Sequence, residues 1–183
     1  MRAAVLCPGP SLAAFADRGG YDLRIGVNRA VGLYRCDYWA MLDQRTWELV
    51  NPVGRPVIIC DRGHYVHLRA RYPTARHHHN LAVETIAETL PHKPVKWHTW
   101  SMTAAIAAAH FLGARTIEVW GADWSGADDF DDYHDEFQNR TDERWARERK
   151  LFCEIQLWLG TAGTNVRRNQ PAIAAVAAAA EVV

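Results

Sequence analysis

Neither sign of charge prevails in this chain of 183 residues, where 21 lysines and arginines stand against 21 aspartates and glutamates. A protein that coats nucleic acid carries a basic excess, so nucleic acid is disfavoured as a partner, although a local groove stays open. No apolar run reaches the ~20 residues of a membrane span. The N-terminus also lacks the apolar core of a signal peptide. The four cysteines, Cys7, Cys36, Cys60 and Cys153, have neither CxxC spacing nor the density of a disulfide scaffold. The expectation is a cytoplasmic protein with reduced, mostly buried thiols. GxGxxG and GxxxxGK[ST] are both missing, which takes support from dinucleotide-dehydrogenase and P-loop readings. No internal repeat or domain boundary is visible. Neither Ser101 nor Cys7 has a recognisable base and orienter nearby in sequence, so no hydrolase triad can be argued.

What is present is alternation. Apolar runs at 2–7, 23–27, 38–42, 56–60 and 115–120 read as strands, most of them ending at Asn, Asp or Gly. Between them come helical stretches at 12–18, 44–50 and 81–90, with 62–93 as a whole the least legible part. The segment from Ser101 to Gly113, with a hydroxyl at its start, alanines throughout and glycine at its stop, is the clearest helix. A helix at 141–159 capped by Thr141 and short strands at 95–99 and 164–168 complete the pattern, with a terminal alanine-rich helix at 171–181. Glu143, Arg144, Arg147 and Glu148 are expected on a solvated helix face. The fold class expected is α/β: one domain over residues 1–183, with helices on both faces of a mostly parallel sheet. Residues 124–140, acidic and too polar for core, read as a loop or lid. Eight tryptophans are a high load for this length, and some are expected at a pocket or an interface.

Ligands of open parallel sheets bind outside the carboxyl ends of the strands. The sequence places Gly9, Pro10 and Ser11, Asn28, Asp43, Asp61, Ser101 and Thr103, and Gly121 and Asp123 at such ends. A strand stopping at Gly-Pro-Ser leaves backbone amides at the next helix's N-terminus, a seat for phosphate, with Ser11 as cap or hydroxyl donor. Asn, Asp and Gly also end strands for local reasons; the evidence lies in their recurrence, which points to a nucleotide-type pocket.

Gly9-Pro10-Ser11-Leu12, then Val27-Asn28-Arg29, a hydroxyl-initiated alanine helix, and Leu112-Gly113-Ala114…Ile117…Gly121-Ala122-Asp123-Trp124 together resemble a Rossmann-like superfamily. Its members include the family-42 bacterial sialyltransferases, the motility-accessory flagellin glycosyltransferases and the archaeal 6-hydroxymethylpterin diphosphokinase-like proteins; small relatives also occur in phage genomes. The resemblance implies a Rossmann-like three-layer sandwich. It implies further that Gly9, Pro10 and Ser11 hold a nucleotide's phosphates and that Asn28 contacts the nucleotide or its sugar. Ser101 and Thr103 stand where the sialyltransferases have a Ser-Ser/Thr-Gly turn, although Met102 and Thr103 depart from that pattern and lack its glycine. Asp43 and Gly121 join the expected nucleotide contacts.

In those sialyltransferases a lid histidine after the Gly-x-Asp strand is the general base, and His134 is the histidine in the matching stretch here. His134 and Asp123 are therefore the catalytic candidates, although acidic neighbours favour the imidazolium of His134. Asp123 is also the metal candidate, joined by Asp128, Asp129, Asp131 and Asp132 should Mg²⁺ bridge phosphates. His77-His78-His79 cannot all face one side of a strand, so no zinc site is read there. Arg29, Arg140 and Arg144 are candidates for neutralising phosphate. The expected function is a nucleotide-dependent transferase, glycosyltransferase-like, using a nucleotide-sugar donor. The alternatives are a Mg²⁺-dependent diphosphokinase acting on a small acceptor such as a hydroxymethylpterin, and a non-catalytic nucleotide-binding module. The expected partner is a nucleotide-type small molecule, with a homo-oligomer left open.

Overall fold

Ala3, Ala4, Val5 and Leu6 are each wholly buried, as only a strand covered on both faces can be. They form β1 (Arg2–Leu6), the centre of a sheet built from β2 (Leu23–Val27), β3 (Tyr38–Ala40), β4 (Val57–Ile59), β5 (Arg76–His77), β6 (Thr116–Trp120) and β7 (Asn165–Arg168). The helices are α1 (Arg62–Arg71), α2 (Val83–Thr89), α3 (Ser101–Phe111) and α4 (Asp142–Thr161), with 3-10 turns at Pro10–Ala14 and Asn28–Gly32. The structure is a computed structural model that describes residues 1–15, 19–43, 50–71, 76–77, 82–90, 100–126 and 140–169.

All strand pairs are parallel, and the seven strands run in the order β5-β4-β3-β2-β1-β6-β7. The chain steps outward from β1 to β5, then crosses back to lay β6 against the free side of β1. Strand order therefore reverses between β1 and β6, where an α/β sheet opens a crevice at its carboxyl edge. The expected α/β class with a parallel sheet is what the structure shows.

The two faces are covered differently. Ala3, Val5, Ile117 and Val119 face a helical layer in which α3 packs between α2 and α4. Every residue of α3 from Met102 to Ala109 is buried; a helix apolar all round belongs inside, and its alanines let it lie close to the strands. The opposite face carries Ala4, Leu6, Trp39 and Ile58, and it is closed by Leu12, Phe15, Ala30 and Val31 in and beside the 3-10 turns. The helix expected at 12–18 is thus a 3-10 turn, Pro10–Ala14, with 16–18 outside the described residues. The poorly legible stretch 62–93 holds α1, β5 and α2. Expected elements at 95–99 and 171–181, and at 44–50 apart from Val50, also lie outside the described residues. No helix among the described residues is long and apolar enough to cross a membrane.

One charge interrupts the apolar sheet. Glu118, in mid-β6, is 1% exposed. Its Oε1 accepts from Arg2 Nε (2.9 Å), Arg2 Nη2 (2.7 Å) and Arg167 Nη2 (2.6 Å), and its Oε2 from Tyr21 Oη (2.7 Å) and Asn169 Nδ2 (2.6 Å). Burial pushes this carboxyl up, but the hydrogen bonds from Tyr21, Arg167, Arg2 and Asn169 outweigh it and hold the group at about 2. A carboxyl depressed on folding contributes stability above its unfolded value, near 4.5, and that contribution vanishes as pH falls through the folded value. Glu118→Gln should cost on the order of 3 kcal/mol near neutral pH and flatten the loss of stability between about pH 4.5 and pH 2. Urea unfolding of both proteins across that range is the check; parallel curves would refute the assignment.

Candidate functional site

The carboxyl ends of β1 and β6 are joined beyond the strands themselves. Cys7 N donates to Trp120 O at 2.8 Å and Gly9 N to Gly121 O at 2.9 Å. Ser11 then closes the corner: its amide donates to Asp123 Oδ2 at 2.7 Å, and its hydroxyl donates to Asp123 Oδ1. The corners after β1 and β6 therefore lie side by side. Small residues are required for this approach. A Cβ on Gly9 would stand 2.5 Å from Gly121 O. One on Gly121, which sits at φ +68°, would stand 2.0 Å from Cys7 O.

This geometry corrects one expectation. The amides after β1 are not free for an anion: Gly9 N, Ser11 N and Leu12 N are bonded to Gly121 O, Asp123 and Gly9 O, and Pro10 has no amide hydrogen. The following element is a five-residue 3-10 turn with little helix dipole. Asp123 already occupies the place that a phosphate oxygen was expected to take.

The other candidates fall at neighbouring strand ends. Asn28 follows β2 in a left-handed conformation, φ 49°. Its carbonyl accepts from Trp39 Nε1 at 2.8 Å, while its side-chain Oδ1 is buried and accepts nothing among the described residues. Ser101 Oγ accepts from Leu42 N at 3.1 Å, tying the start of α3 to the end of β3 beside Asp43. Thr103 is wholly buried and its hydroxyl donates to Trp100 O at 3.1 Å, so it stabilises the first turn of α3 behind the rim. His134 and the acidic residues from 128 to 132 lie outside the described residues. Among the described residues no group of three His, Cys, Asp or Glu side chains gathers to hold a metal, and both oxygens of Asp123 are engaged by Ser11.

Sequence reading missed the contribution of α4 and β7. Thr141 caps α4 as expected, accepting from Arg144 N, and Glu143 pairs with Arg147 on the exposed face. Arg144 and Glu148, however, turn inward. They form an ion pair at 3.4 Å with 28% and 15% of their side chains exposed, and the Arg144 guanidinium lies 5.0 Å from the Trp100 ring. Burial pushes the Glu148 carboxyl above its usual range despite the attraction of Arg144 and Arg140. A signal existed: 144 and 148 continue the spacing of the buried stripe Phe152, Ile155, Leu159. At the end of β7, Arg168 lies 4.2 Å over the Trp124 ring, and Arg149 donates to Trp124 O at 3.3 Å.

Comparison with known proteins gives a likeness of fold. The structure is similar to that of the sialyltransferase CST-II in complex with a trisaccharide acceptor and CMP, with a TM-score of 0.51 at 12% identity over 92% of this chain and 80% of that one. At that identity the likeness is one of fold, shared with a sialyltransferase, and it does not extend to the flagellin-glycosyltransferase or pterin-diphosphokinase members of the resemblance. No protein-family model matches the chain, and no curated sequence matches it.

The corner is testable by itself. Asp123→Ala leaves the Ser11 amide without its acceptor in a place only 9% exposed, a loss of about 1–3 kcal/mol. Ser11→Ala and Asp123→Ala should be non-additive in a double-mutant cycle of thermal unfolding, with coupling above ~0.5 kcal/mol. Additive effects would show that the two side chains do not act together.

Proposed function

We propose that the protein is a nucleotide-dependent transferase of glycosyltransferase-like kind, moving a sugar from a nucleotide-sugar donor to an acceptor hydroxyl. The observation that carries the reading is the juxtaposition of the β1 and β6 corners at the point where strand order reverses. Sheets of this kind take their ligands at such a point, and the sialyltransferase whose fold this structure resembles is described in complex with CMP. One fold hosts many chemistries, and the residues at the strand ends supply what the fold does not. Asn28 brings a buried side-chain oxygen, Oδ1, that accepts nothing among the described residues, suited to a donor hydroxyl or amine on the nucleotide or its sugar.

In the proposed reaction the bond between the anomeric carbon and the phosphate oxygen breaks, and its electron pair leaves on the phosphate. The acceptor oxygen bonds to the anomeric carbon and gives up its proton to a base. His134, in the acidic stretch after Asp123, is the proposed base. Asp123 is proposed to serve indirectly, by holding the Gly9–Ser11 corner at the carboxyl edge of the sheet. A charge-stabilising group at the leaving phosphate is required, because charge develops there in the transition state.

The test is thermal unfolding with CMP, with nucleotide sugars and with ATP, each with Mg²⁺ or EDTA. At a concentration a hundredfold above Kd a ligand adds about 2.7 kcal/mol, roughly 5–10 °C for a chain of this size. The expected result is stabilisation by CMP or a nucleotide sugar that survives EDTA and is lost in Asn28→Ala, followed by sugar transfer to an acceptor. Stabilisation by ATP only with Mg²⁺ would instead favour diphosphoryl transfer. Binding without turnover would favour a non-catalytic module, and no response to any nucleotide would overturn the reading.

A further inference from the structure

We propose that Arg149 and Arg168, gathered on Trp124, form a phosphate seat at the carboxyl edge of the sheet. The inference rests on the transferase reading for the nucleotide that owns the phosphate, but the seat itself is argued from geometry. Arg168 ends β7 in register with Val119, and Val119 faces the helical layer. The side chain of Arg168 therefore rises on the α4 side of β6, at the end where Asp123 and Trp124 follow. Arg149 arrives from α4. One guanidinium stacks on the Trp124 ring at 4.2 Å and the other donates to the Trp124 carbonyl at 3.3 Å. A single residue thus anchors two cations from separate elements.

Their charge is only partly matched locally, with the Asp123 carboxylate as one negative charge acting on Arg168 against two positive ones. Glu148 is paired with Arg144, Asp123 is bonded by Ser11, and neither Arg149 nor Arg168 has an ion pair among the described residues. Arg168 is held below its usual range, first by burial and then by the like charge of Arg149, while Asp123 pulls the other way. Two guanidiniums brought together beside one already-engaged carboxylate are arranged for an incoming anion. Trp124 supplies the independent sign. It is 9% exposed, its indole Nε1 is buried without an acceptor among the described residues, and its backbone is left-handed at φ 53°. A buried donor without an acceptor calls for a ligand group, and strained backbone clusters at ligand clamps. Phe152, edge-on to the ring at 5.2 Å, fixes the platform. With the amides of Gly9, Ser11 and Leu12 already bonded to Gly121, Asp123 and Gly9, these two side chains are cations placed to receive a leaving phosphate.

Isothermal titration of the full chain with CMP, cytidine and inorganic phosphate tests the seat, using wild type, Arg168→Gln and Arg149→Gln. CMP should bind wild type at least tenfold more tightly than cytidine, and either variant should bring CMP down to the cytidine value while leaving cytidine unchanged. Because the two arginines repel, the apo variants should melt no lower than wild type; a lower melting temperature with equal losses for CMP and cytidine would mean a structural role and overturn the seat. Unchanged CMP affinity in both variants would overturn the seat and leave the transferase reading intact. Arginine-dependent binding of phosphate without binding of CMP or cytidine would support the seat and overturn the reading. No binding of any probe would overturn both.

Discussion

The contact between the β1 and β6 corners is the constraint from which the rest of the rim follows. Parallel pairing continues past the strand ends through Cys7 and Gly9, and the Asp123 carboxylate locks it by taking both the amide and the hydroxyl of Ser11. Backbone approaches this close exclude a Cβ at Gly9 and at Gly121. The same closeness has a chemical consequence. A turn that spends its amides on its neighbour offers no positive field to a ligand, so charge at the rim must come from side chains on the elements that flank it. That places the burden on α4 and β7, the last elements of the described chain.

The two faces of the sheet reach stability by different means. On the helical face, α3 brings alanine against four strands, so the layer is thin and apolar, and α2 and α4 close around it. The other face is filled by aromatic rings: Phe15 meets Tyr21, Tyr34 and Trp120 at 5.0–5.9 Å between centroids. Tyr21 joins that cluster to the buried charge, because its hydroxyl donates to Glu118 and accepts from Trp120 Nε1 at 3.1 Å. A buried carboxylate is tolerated where every lone pair finds a donor, and five hydrogen bonds from four side chains meet that condition. Among the described tryptophans, Trp39 and Trp120 lie in this face, Trp145 and Trp158 pack on the helical one, and Trp100 and Trp124 stand near the rim.

The sheet was legible because a strand buried on both sides leaves an uninterrupted apolar run. Leu23–Val27 matches its expected span, and β6 and β7 fall within theirs by a residue. The helix α3 was legible for the same reason, its alanines and bounding hydroxyl and glycine leaving no other assignment. Around 62–93 the pattern gave out because β5 is two residues long, too short for any period to register. The turn after β1 was read as a helix with free amides because the bond from Ser11 to Asp123 spans 112 residues, a separation that no local rule can see. Arg144 and Glu148 were misplaced because charge was read as exposure; ion-paired side chains on an inward stripe escape that rule.

Two unusual features coincide twice at the carboxyl rim. Among the described residues, Asn28 and Trp124 are the non-glycine residues with positive φ, and each carries a buried polar atom without a hydrogen-bond partner. They follow β2 and β6, the strands on either side of β1. Left-handed backbone and an orphaned buried group each cost free energy, on the order of 1–3 kcal/mol, and packing gains nothing from either. Scattered over the molecule such faults would average out as local compromise. Set on both flanks of the central strand, at the edge where α/β sheets take their ligands, they are the contacts that the proposed nucleotide site would use.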